Sequence, residues 1–183
     1  MNLLAILSDS TAVFLMVILL AAGVHKLNPA NQNYYRGVLE GYGLGYHSQL
    51  NLISLVLGVF EIFAAVALLV PQARPLGALL AITLFSVYFA AMALQLVQGK
   101  RDLDCGCAGP IGHSTISPAL LLRNALFIVF AIFCFLEPAS FIGLFVSAAL
   151  SVPFALVALL IYVCAEQLIA NSQKLKLLRN RGA

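Results

Sequence analysis

KRDLDCGCAGPIGHSTISPALLLRN, residues 100–124, is the longest polar break in the later part of an otherwise apolar chain. It carries two cysteines one residue apart, in Asp104-Cys105-Gly106-Cys107, and ends at Ser117-Pro118. Serine at a helix N-cap followed by proline is a start signal, because the first turn leaves proline's missing N–H unbonded anyway. Arg123 and Asn124 then fall inside the next apolar run, where polar groups are costly and need partners. The break therefore separates two helices, and the runs on either side decide the fold.

Those runs are long. The chain has 183 residues, 62% of them hydrophobic and only 9% charged, with a mean hydropathy of +1.01. One water-soluble core of this length cannot hide so much apolar surface, whereas a bilayer can. Five spans are expected, at about Thr11–Leu27, Asn51–Val70, Leu76–Val97, Pro118–Leu136 and Ala139–Ala165. Each approaches the roughly 20 residues a helix needs to cross hydrocarbon. Spanning segments must bond their own backbone, so these are helices. Short links around Pro71–Pro75 and at Glu137-Pro138 make neighbours antiparallel. The fold class is all-α, a polytopic up-down bundle forming a single integral membrane domain over residues 1–183. Met1 to Ser10 contains no lysine or arginine and includes Asp9, so the first span is expected to be retained rather than cleaved as a signal.

Charge placement orients the bundle. With five spans, Lys26, Arg36, Lys100, Arg101, Lys174, Lys176, Arg179 and Arg181 share one side, and Arg74 falls on the other. The positive-inside bias then puts the N-terminus outside and the basic tail, residues 171–183, in the cytoplasm. The Cys105–Cys107 loop would also be cytoplasmic. A net charge of +3, without a basic-aromatic pattern, gives no reason to expect nucleic acid as a partner. The lipid bilayer is the expected surrounding, with the tail against anionic headgroups.

Between the first two spans, residues 25–50 are too polar to cross. Tyr34, Tyr35, Tyr42 and Tyr46 suit the headgroup zone, and an interfacial helix or helical hairpin is expected. Gly37, Gly41 and Gly45 recur every four residues and would give such a helix one smooth packing side. Glu61 lies near the middle of the second span and must be paired, protonated or facing a cavity. It reads as a structural hydrogen-bonding group, as a proton or quinone-site group, or as the salt-bridge partner of Arg123. Arg123 is only ~9 Å into its helix and could also snorkel outward. Pro153 should kink the fifth span.

Cys105-Gly106-Cys107 can close on itself, glycine relieving the tight turn. So small a ring is strained and easily reduced, which favours exchange chemistry over stapling. Two alternatives stay open: a metal site built from Cys105, Cys107 and His113, which lacks a fourth ligand, and ordinary reduced thiols. Cys134 is ~25 Å along its helix from Ser117, in the opposite leaflet. Cys164 lies at the loop's own end and is a candidate partner for it.

Asp104-Cys105-Gly106-Cys107-Ala108-Gly109, Ser117 and Leu121-Leu122-Arg123-Asn124 resemble the methylamine-utilization MauE family and its redox-associated relatives. His25-Lys26-Leu27, the segment Tyr35 to Gly43 and Glu61 resemble the wider DoxX-like family. The MauE resemblance implies a role in maturing the disulfide-rich, exported small subunit of methylamine dehydrogenase, beside a periplasmic thioredoxin-like partner, in the bacterial inner membrane. Cys105 and Cys107 would exchange, Arg123 would stabilise the thiolate, and Asp104, Gly106, Asn124, Glu61, His113 and Cys164 would support them. No cofactor is firmly implied; the DoxX-like likeness admits a quinone near Glu61. The competing roles are a non-catalytic scaffold or export partner and a DoxX-like quinone-linked subunit.

Overall fold

The structure, a computed structural model, describes residues 3–43, 47–99, 117–137 and 144–181. Among these, all regular structure is helical: α1 (Leu3–Leu27), α2 (Gln32–Gly41, after a short 3-10 turn), α3 (His47–Leu69), α4 (Arg74–Val97), α5 (Pro118–Leu136) and α6 (Leu144–Arg181). All but α2 are long and apolar enough to cross a membrane. The protein is a multi-pass membrane protein.

Helix ends follow local chemistry. Ser117 takes the N-cap position of α5 in extended backbone, with Pro118 in the first turn. Its carbonyl accepts from the amides of Leu120 and Leu121 at 3.0 and 3.3 Å. Its hydroxyl, contrary to the start-signal reading, makes no capping bond. At the other end of the break, Gly99 has φ +76°, a left-handed stop that glycine adopts without a Cβ penalty. Within the spans, Ser10, Thr11 and Thr83 donate to the carbonyl four residues back at 2.7, 2.7 and 2.9 Å. That removes a hydroxyl from apolar surroundings without a second helix.

α1 begins at Leu3 rather than Thr11, carrying Asp9 into the bundle. The last helix runs unbroken from Leu144 to Arg181 with Pro153 inside it, so the basic tail continues as helix through Arg181.

α1 is central, packing against α3, α5 and α6, while α3 packs on α4 and α4 on α5. Lipid tails give little hydrophobic drive between helices, so close approach of small residues matters more. Gly23 and Gly58 form such an approach: a Cβ on Gly23 would stand 2.8 Å from the Gly58 carbonyl oxygen, and one on Gly58 3.2 Å from that of Gly23. Gly77 does the same for α3 and α4, where an added Cβ would lie 2.6 Å from the Leu68 amide. Gly37, by contrast, faces open space. The expected glycine packing stripe on α2 is therefore not used at that position.

The core gathers Phe14, Leu15 and Leu19 of α1, Ala64, Ala65 and Leu68 of α3, Ala78 and Ala81 of α4, and Phe127 and Ala131 of α5. The Phe127 ring is the hub of an aromatic cluster, with Phe14, Phe85 and Tyr162 centroids 5.9, 5.1 and 5.8 Å away. These contacts tie α1, α4, α5 and α6 together. Leu122, Val129, Leu160 and Ile161 face outward, as a lipid-facing surface requires.

Candidate functional site

Three acidic residues inside the spans each meet a basic one. Asp9 pairs with Arg74 at 2.6 Å, Glu61 with Lys26 at 2.7 Å, and Glu166 with Arg123 at 2.5 Å. A charge at membrane depth is tolerated when it is paired and hydrogen-bonded. Asp9–Arg74 lies at the end of the bundle where the α3–α4 turn sits, and Arg74 also donates to the Leu68 carbonyl there at 3.3 Å. The other two pairs lie toward the opposite end, where α4 stops and α5 starts.

Glu61 is 1% exposed. The Lys26 amine donates to both of its oxygens, at 2.7 and 3.0 Å, and the Tyr88 hydroxyl donates to Oε1 at 2.6 Å. Gly23 and Gly58 explain how a lysine at the end of α1 reaches a mid-span carboxylate. Lys26 is one turn beyond Gly23 and Glu61 one turn beyond Gly58. On a helix each Cα–Cβ bond tilts toward its own N-terminus. In two antiparallel helices crossing at the glycines, these side chains therefore lean toward each other. The Tyr35 and Tyr88 rings flank the ammonium at 5.5 and 5.3 Å, a cation–π arrangement. Tyr35 comes from α2, held in place by Gln32 donating to the Lys26 carbonyl at 2.6 Å and by Arg36 donating to Asn51 of α3 at 3.2 Å. The segment between the first two spans thus closes over the ion pair.

The Glu61–Arg123 salt bridge considered from sequence does not form. Lys26 takes Glu61 because α1 and α3 touch at their glycines, and Arg123 turns to Glu166 of α6. The Arg123 guanidinium also sits 6.0 Å from the Phe127 ring. Arg123 is buried and held, so it does not snorkel outward. Its neighbour Asn124 is also buried, its Nδ2 3.9 Å from the Met92 sulfur. Glu61, Tyr88, Arg123, Asn124, Phe85, Phe127 and Tyr162 line a small cavity of about 20 Å³.

That volume bears on the quinone. One water needs roughly 10–15 Å³, and a cavity of about 150 Å³ takes benzene. With both Glu61 oxygens already engaged, the residues at this cavity do not fit a quinone ring in this arrangement.

Cys105, Cys107, Asp104, Gly106 and His113 lie outside the described residues. The described ends of that segment are Gly99 and Ser117, and Met92, Leu96, Leu120, Leu121 and Tyr42 pack together there. Arg123 and Asn124 sit one to two turns into α5 from Ser117. Cys164 is exposed on α6, two residues before Glu166, while Cys134 is buried 3.7 Å from the Ser8 carbonyl, at the far end of α5. Sequence reasoning used Lys26 for topology and family likeness alone, and missed Tyr88 and Glu166. Balancing acids against bases within the spans would have pointed to Lys26 and Glu166; nothing in the local sequence singled out Tyr88.

A family model described as methylamine utilisation protein MauE matches residues 2–137. The chain belongs to this family. Membership of the MauE family implies a role in methylamine utilisation. A methylamine utilization protein MauE from Methylophilus methylotrophus is 29% identical over 176 residues, covering 93% of this chain and 92% of that protein. One from Paracoccus denitrificans is 31% identical over 112 residues, covering 61% and 59%. No solved structure matches the chain. The matched stretch holds Lys26, Glu61, Tyr88, Arg123 and Asn124; Glu166 lies beyond it, on α6.

Proposed function

We propose that this MauE-family chain is a membrane accessory protein of the bacterial inner membrane whose Cys105–Cys107 pair exchanges disulfides during maturation of an exported, disulfide-rich enzyme. The small subunit of methylamine dehydrogenase is the client on the family resemblance. In the exchange, a client thiolate attacks one sulfur of the Cys105–Cys107 disulfide and forms a mixed disulfide. The second client thiolate then displaces it. The client gains one disulfide, and Cys105 and Cys107 gain its two electrons and two protons. The disulfide of a thioredoxin-like partner restores the pair by the reverse exchange, itself becoming a dithiol.

The observation that supports this reading is where the described ends of the Cys-Gly-Cys segment stand. Its flanking residues Gly99 and Ser117 stand at the end of the bundle that holds Arg123 and Asn124. A cation close to a dithiol favours the thiolate that exchange requires. Arg123 would act on the thiolate, with Asp104, Gly106, Asn124 and His113 around it.

Replacing Cys105 or Cys107 by serine is expected to abolish client disulfide formation while the protein still inserts in the membrane. Normal client disulfides in both variants would overturn the exchange and leave a scaffold role. The bias of basic residues favours a cytoplasmic side for this end, and exchange with an exported client would then need either a relay of electrons across the membrane or outside access to the loop. A membrane-impermeant thiol reagent on intact cells, with Cys134 and Cys164 first replaced by serine, separates the two. Labelling of Cys105 and Cys107 without opening the membrane means direct exchange; labelling only after opening it means a relay.

A further inference from the structure

Arg123 and Asn124, on which the proposed exchange draws, also line the cavity between the two inner ion pairs, and the exchange gives that cavity no occupant. Its lining defines a ligand. The two charged residues that line it, Glu61 and Arg123, are opposite in sign, and each is already paired outside the lining, with Lys26 and Glu166, so the occupant is neutral. At about 20 Å³ it is no larger than one or two waters. Apolar cavities stay dry, and polar ones fill when two to four hydrogen-bonding partners converge. Ile18, Leu19, Ala22, Phe85 and Phe127 make most of this lining apolar, and the polar groups that converge on it come from three helices: Glu61 on α3, Tyr88 on α4, and Arg123 and Asn124 on α5.

Asn124 supplies the second observation. It is 1% exposed, lines the cavity, and carries two N–H donors and a carbonyl acceptor. Among the described residues its side-chain hydrogen bond is to the Met92 sulfur, at 3.9 Å. Thioether sulfur is a weak acceptor, and a buried amide left so poorly bonded is costly. A water in the cavity would remove that cost.

We propose that the cavity holds one or two exchangeable water molecules, bonded to Asn124 and bridging the Lys26–Glu61 pair to the Arg123–Glu166 pair. The bridged network joins all five long helices through polar contacts: Lys26 from α1, Glu61 from α3, Tyr88 from α4, Arg123 and Asn124 from α5, and Glu166 from α6. It also brings water to Glu61, a carboxylate 12 residues, roughly 18 Å, into the Gln49–Leu69 span. The water stops there. On the far side of Glu61 the core is closed by Leu15, Ala64, Ala65, Leu68, Ala78 and Ala81, all with 0% exposure.

The test uses the full chain, nitrogen-15 labelled, in lipid nanodiscs. Magnetisation is transferred from water to the Asn124 side-chain amide, whose signal is assigned by its loss in Asn124→Leu. The wild type is expected to show the transfer, and to exchange that amide into heavy water at least about ten-fold faster than a variant whose cavity is filled, since exchange reports local access. Ala22 lines the cavity, so Ala22→Leu fills it, and Ala22→Val does so more gently if the leucine variant misfolds. Either variant, with backbone amide signals otherwise unchanged, is expected to lose the transfer. Absence of transfer in the wild type would mean a dry cavity and end the proposal. Transfer that persists in a folded filled variant would place the water elsewhere and end it equally. Neither readout depends on Cys105 or Cys107, so the exchange function can fail without touching this site.

Discussion

Replacing Lys26 by methionine keeps most of the side chain's volume and deletes the charge that Glu61 faces. Glu61 is 1% exposed and Lys26 itself 5%. The α1–α3 crossing beside the pair is tight, since a Cβ added at Gly58 would lie 3.1 Å from the Lys26 Cβ and 3.2 Å from the Gly23 carbonyl oxygen. One hydrogen bond from Tyr88 would remain. Removing one partner of a buried pair costs about 3–5 kcal/mol, mostly the uncompensated charge. For a chain of this size each kcal/mol shifts the melting temperature by about 2–4 °C, so a fall of roughly 6–20 °C is expected. Glu61→Leu alone strands the lysine and should cost a similar amount. In the double variant Lys26→Met/Glu61→Leu both charges are gone, and an apolar pair of similar volume is often neutral or more stable by about 1–4 kcal/mol. Thermal unfolding of the four proteins in one mild detergent, followed by intrinsic tyrosine fluorescence and light scattering, measures the cycle. A double variant no more stable than the worse single one would refute the pairing as the reason Glu61 is tolerated. So would a Lys26→Met protein that melts with wild type.

The Arg123–Glu166 pair should answer to charge swapping: Arg123→Glu and Glu166→Arg each destabilise, and the double swap recovers part of the loss in the same assay. Swapping Glu61 with Arg123 should recover none, since they are not partners. Gly77→Ala drives a Cβ to within 2.6 Å of the Leu68 amide and should cost about 1–3 kcal/mol through overpacking. Gly37→Ala, with nothing within 4 Å, should instead stabilise α2 by about 0.5–1 kcal/mol, read as a higher melting temperature. A maleimide added to the folded protein in detergent should modify the exposed Cys164 and spare Cys134 until the protein is denatured. Mass spectrometry of the peptides decides it, and early modification of Cys134 would contradict its burial under Ser8.

The number and class of the helices were legible in the sequence because both depend on local properties. Runs of about 20 apolar residues, broken by Pro71 to Pro75 and by residues 100–117, can do little in a bilayer except span it and bond their own backbones. The start of α5 at Pro118 was readable for the same reason: a proline's effect on the first turn needs no distant partner. The family likeness was legible through its own short motif. Which charge meets which was not. Glu61 and Arg123 are both polar groups inside spans, and from one dimension they are an acceptable pair. The choice turned on Gly23 and Gly58, which bring α1 against α3 closely enough for Lys26 to lean inward and take the carboxylate. It turned also on α6, whose docking along α1 carries Glu166 to Arg123. Helix formation is settled by neighbours in sequence. Ion pairing in a bundle is settled by rotation and register between helices, which small residues far from the charges decide.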